Sequence, residues 1–71
     1  MALADSTIQA VTNIENFRCF IHWMLKYQTT GKQRCLLEAM TYRQRLISSD
    51  FLTADYLDGI QEGIVHGIDA A

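Results

Sequence analysis

The sequence predicts an all-α fold: one three-helix domain, with a long antiparallel hairpin made by the first two helices and a C-terminal amphipathic helix laid against it, the whole expected to pair as a dimer. Three observations lead there. The segment FRCFIHWMLKY, residues 17–27, is apolar over roughly 240° of a helical wheel, leaving only Arg18, His22 and Lys26 as a polar stripe. Two later stretches also place apolar residues at helical spacing. The chain contains no proline and only 4 glycines while 49% of it is apolar, a composition that favours long helices over disorder.

The first helix is expected over about residues 6–28. Ser6-Thr7-Ile8-Gln9 has the form of a capping box, with a second at Thr12-Asn13-Ile14-Glu15. Ile8 and Val11 drift away from the arc centred on Phe17, Phe20 and Met24. Either the helix restarts near Thr12 or that apolar edge meets a second subunit. Gln28-Thr29-Thr30-Gly31 ends it, because β-branched residues lower helix propensity and Gly31 can take the left-handed conformation of a helix C-terminus. Lys26 is expected in the last turn, beside the negative end of the dipole.

The second helix is expected over about residues 32–48, with Cys35, Leu36, Ala39, Met40, Tyr42, Leu46 and Ile47 inside an arc of roughly 160°. Arg43 projects into that apolar face. Its guanidinium has to reach water or find a partner, and Glu15 or an acidic residue of a neighbouring chain are the candidates. Thr53 then looks like an N-cap, with Leu52 and Leu57 at hydrophobic-staple spacing. The third helix, about residues 54–68, has Leu57, Ile60, Ile64 and Ile68 on one side and Asp55, Asp58, Glu62, His66 and Asp69 on the other. Gly59, Gly63 and Gly67 border the two, and are expected to let this helix approach the aromatic first helix closely. There is no linker, repeat or low-complexity segment, so residues 1–71 form one unit.

Composition narrows the function. A chain of 71 residues buries only about 60% of its unfolded surface, so a core this small often gains burial by oligomerising. The net charge of −2 implies no polyanion partner. Five of the six Lys and Arg nevertheless lie from Lys26 to Arg45, and none follows, while Asp50, Asp55, Asp58, Glu62 and Asp69 all do, so the two parts of the chain attract one another. The start lacks the basic and long apolar regions of a signal peptide, and no apolar run approaches a membrane span. A soluble, cytoplasmic protein is expected, with no membrane contact. Cys19 and Cys35, on antiparallel helices at unequal distances from the turn, are expected as free thiols.

Chemistry finds little support. Cys19-x-x-His22, with Cys35 and His66, is the best metal set, but no Cys-x-x-Cys or paired-His element accompanies it, and neither a metal nor a cofactor is expected. A nucleophile beside a base needs a water-excluding pocket, for which three short helices leave little room, and Thr30-Gly31-Lys32 lacks the strand and first glycine of a phosphate loop. The chain is therefore read as a non-enzyme. The alternative is a DNA-binding regulator: Thr29-Thr30-Gly31 resembles the turn of a helix-turn-helix, and Lys32, Arg34, Arg43 and Arg45 would contact phosphates or bases. Negative net charge and Glu38 between Arg34 and Arg45 oppose it. The preferred reading is an adaptor or regulator acting by protein–protein interaction, homodimeric, with an unknown protein partner. Its expected interface is Cys19, Trp23 and Tyr27 at the edge of the apolar arc, with Arg43. Small accessory regulators of phages and mobile elements are of this type, a likeness of type alone.

Overall fold

A computed structural model describes the backbone of residues 5–70 and the side chains of residues 7–66. It contains three helices, α1 (Asp5–Thr30), α2 (Gln33–Ser48) and α3 (Ala54–Ala70), and no strand among the described residues. α1 and α2 pack along one another as a helical hairpin, and α3 makes a slimmer contact with α1. The chain is elongated, 48 × 22 × 20 Å, because α1 alone is about 39 Å long at 1.5 Å per residue.

α1 runs without a break through Thr12, so the second capping box does not restart it. The hydroxyl of Ser6 lies outside the described side chains. At the other end α1 continues two residues past Gln28. Thr29 and Thr30 are its last two residues, their hydroxyls donating to the carbonyls of Leu25 and Lys26, at 2.9 and 2.8 Å. Lys26 consequently falls short of the last turn, and its ammonium sits 5.4 Å from the centre of the Trp23 ring instead. Gly31 closes the helix as expected, at φ +69°, its amide donating to the Tyr27 carbonyl at 2.7 Å. The whole connection is Gly31-Lys32, which forces α2 back along α1.

α2 opens at Lys32, which gives no side-chain cap. Its C-terminus is a Schellman motif: the Asp50 amide donates to the Ile47 carbonyl at 3.0 Å and the Phe51 amide to that of Leu46 at 3.2 Å. Asp50 occupies the left-handed position, φ +58°, that glycine would take without strain. Thr53 is the N-cap of α3, its hydroxyl accepting from the Tyr56 amide at 3.2 Å.

Phe20 and Met24 of α1, Ala39 and Leu46 of α2, and Leu57 of α3 form the buried core, with Cys35 buried nearby. Ile21, Leu36, Met40, Ile47, Leu52, Ile60 and Ile64 pack around it half-buried. Asn13 is the one buried polar side chain among the described residues, and it accepts a 2.9 Å hydrogen bond from the Ser49 hydroxyl, tying α1 to the end of α2.

Two expectations change. Arg43 does not pair with Glu15: its Nη2 is 2.5 Å from Asp58 Oδ1 on α3 and also donates to the Ala54 carbonyl at 3.5 Å. One base of α2 is thus paired with one acid of α3 inside the molecule. Nor does the glycine edge mediate close packing. Gly59 and Gly63 are exposed, and a Cβ built on either meets no atom within 4 Å. α3 approaches the hairpin through its isoleucine face, so its glycines point elsewhere. Gly67 and the side chains of Ile68 and Asp69 lie outside the described set.

Candidate interaction surface

α1 carries apolar side chains on two faces, and the bundle covers only one. Phe20 and Met24 are fully inside, whereas Ile8, Val11, Ile14 and Leu25 are 50%, 57%, 52% and 45% exposed. At 100° per residue, the centre of this open stripe lies roughly 120° around the helix from the buried face. It runs Val11, Ile14, Arg18, Ile21, Leu25, with Ile8 beside its first turn. An open groove lined by Phe17, Arg18, Ile21, His22 and Leu25 occupies its C-terminal half, and a second hollow, bordered by Glu15, Arg18, Cys19 and His22, adjoins it. Arg18 Nη1 is 3.1 Å from Glu15 Oε1, and both side chains remain largely in solvent. α2 and α3 face the other side of α1, which leaves Val11, Ile14 and Leu25 about half exposed, while Phe17 and Ile21 at the edge of the stripe pack against the core.

The edge formed by Cys19, Trp23 and Tyr27 is different. All three are half-buried, and Trp23 packs against the core. The Trp23 ring is also flanked by His22, edge-on with centroids 5.3 Å apart, and by the Lys26 ammonium. Much of the surface that the wheel leaves unassigned on this side is therefore occupied within the chain. Cys19 touches the open stripe only through the hollow it shares with His22.

The four basic residues considered for nucleic acid do not converge. Lys32, Arg34 and Arg45 are exposed, but the Arg43 guanidinium turns to α3 and is paired with Asp58. Arg45 lies over the Tyr42 ring at 5.1 Å. Glu38 stands between Arg34 and Arg45 on the same side of α2. Cys19 and Cys35 are both free thiols, as expected. Cys35 is buried at the hairpin end, 3.8 Å from the Thr30 hydroxyl. Among the described residues, no group of three or more His, Cys, Asp or Glu side chains is placed to hold a metal ion, and no helix is long and apolar enough to cross a membrane.

The signal for the open stripe is a spacing. Thr7, Val11, Ile14, Arg18, Ile21, Leu25 and Gln28 alternate four and three residues apart, the repeat of a coiled-coil seam, which α3 closes at its C-terminal end, where the Gln28 amide donates to the Val65 carbonyl at 3.3 Å. A wheel drawn at 100° per residue centred on the aromatic segment blurs it into the wide apolar arc. An open stripe of this kind excludes no water; what it provides is apolar surface to bury, with Glu15, Arg18 and His22 grouped along its flank. The chain matches no family model, no curated protein and no solved structure.

Proposed function

We propose that the protein is a non-enzymatic helical adaptor or regulator that works by protein–protein contact as a homodimer. The observation that carries this reading is the uncovered stripe of α1, where Val11, Ile14 and Leu25 are about half exposed with Ile8 beside them, the largest such group on a chain that also exposes Leu37, Phe51 and Tyr56 singly. Isolated exposed apolar residues are ordinary, but a continuous row along one helix marks a surface that another helix covers. A small core supports the same reading, since association supplies burial that 71 residues cannot supply alone.

The test uses Ile14→Glu with Leu25→Glu, both at exposed positions where a carboxylate leaves the fold intact. Wild type is expected to sediment above monomer mass and to capture protein from extracts of its native host, and the variant is expected to lose both while keeping its helical circular dichroism. Retention of mass and of captured proteins by the folded variant would refute the assignment of this face.

A further inference from the structure

We infer that the occupant of the α1 stripe is the α1 stripe of a second copy, docked antiparallel. The inference rests on the proposed function above and goes further by fixing the partner, the orientation and the register. The four-and-three spacing is self-complementary, because each seam residue is a knob that a like seam accepts as a hole. The helix is already formed by its packing on α2, so association orders no new backbone and a short seam suffices.

Orientation follows from charge. A parallel pair in register stacks Arg18 on Arg18 of the second copy at the centre of the seam. An antiparallel pair instead sets Ile14 against Leu25 of the second copy and Arg18 against Ile21, with each guanidinium free to keep its own Glu15 at 3.1 Å. This register brings Glu15 opposite His22 of the second copy on the exposed flank, twice by symmetry. Sliding one heptad toward the N-terminus puts Glu15 against Glu15, so like charge disfavours that register. Arg18 thus acts as the polar seam residue that selects orientation at some cost in affinity. Arg18→Leu is expected to tighten the dimer several-fold and to admit the parallel arrangement.

Disulfide trapping decides it. In full-length chain carrying Cys19→Ser, with buried Cys35 left in place, Ile14→Cys plus Leu25→Cys is expected to give a covalent dimer on mild oxidation. Ile14→Cys alone should stay uncrosslinked, because the two copies of residue 14 lie eleven residues apart, about 16 Å along the helix. Ready crosslinking of Ile14→Cys alone would overturn the antiparallel orientation. A wild type that remains monomeric by light scattering at about 100 μM, far above the micromolar dissociation constants of small interfaces, would overturn the second copy as occupant. That result leaves the binding face itself to the capture experiment, where the Ile14→Glu, Leu25→Glu variant still discriminates. A dimer that survives those two glutamates would overturn both.

Discussion

Replacing Gly59 and Gly63 by alanine should stabilise the protein substantially. Both sit inside α3, well away from its ends, where glycine is less favourable than alanine by about 1 kcal/mol because of the backbone freedom it loses. An added Cβ at either position meets nothing within 4 Å, so no steric term opposes the gain. The pair should therefore contribute about 2 kcal/mol, which for a domain of this size raises Tm by roughly 8–16 °C. Thermal melts followed by circular dichroism at 222 nm, with wild type and both single variants at one fixed concentration, measure the shift, since any dimer makes Tm concentration-dependent. An unchanged or lowered Tm would refute the reasoning: it would mean either that a neighbouring backbone lies against the glycines in solution or that α3 does not persist as a helix.

Four other substitutions have definite outcomes. Asp58→Ala should destabilise by about 1–2 kcal/mol by leaving the mostly buried Arg43 guanidinium without its carboxylate, while Arg43→Met, which removes the charge and keeps the apolar stem, should be close to neutral; urea titrations of both compare them directly. Asp50→Gly should stabilise by about 1 kcal/mol in the same assay, since it relieves the positive φ of the Schellman position. Trp23→Ala should cost about 3 kcal/mol, the low end of the range for a buried aromatic ring because part of the residue stays exposed, with a matching loss of the Lys26 contact.

Much of the fold was legible because it is written in short stretches. The turn at Gly31, the N-cap at Thr53, the buried stripe of α2 and the isoleucine face of α3 each depend on residues within a few positions of one another, and capping and 3.6-residue periodicity act over that range. The last two residues of α1 were not, because Thr29 and Thr30 are poor helix formers and only the position of Gly31 in the folded chain shows where the helix closes.

By itself, then, the sequence determined that there are three helices, where they turn, and that α1 carries more apolar surface than a small bundle needs. Tertiary structure decided which part of that surface is covered. Asn13 meeting Ser49, and Phe20 and Met24 meeting Ala39 and Leu46, fix the rotation of α1 against α2, and with it the exposure of Val11, Ile14 and Leu25 rather than Trp23. The rotation of one helix on another is set by side chains interlocking across the hairpin, up to thirty-six residues apart in the chain, and no local periodicity encodes it. The same interlocking turns α3 onto its isoleucine face and leaves its glycines in the open.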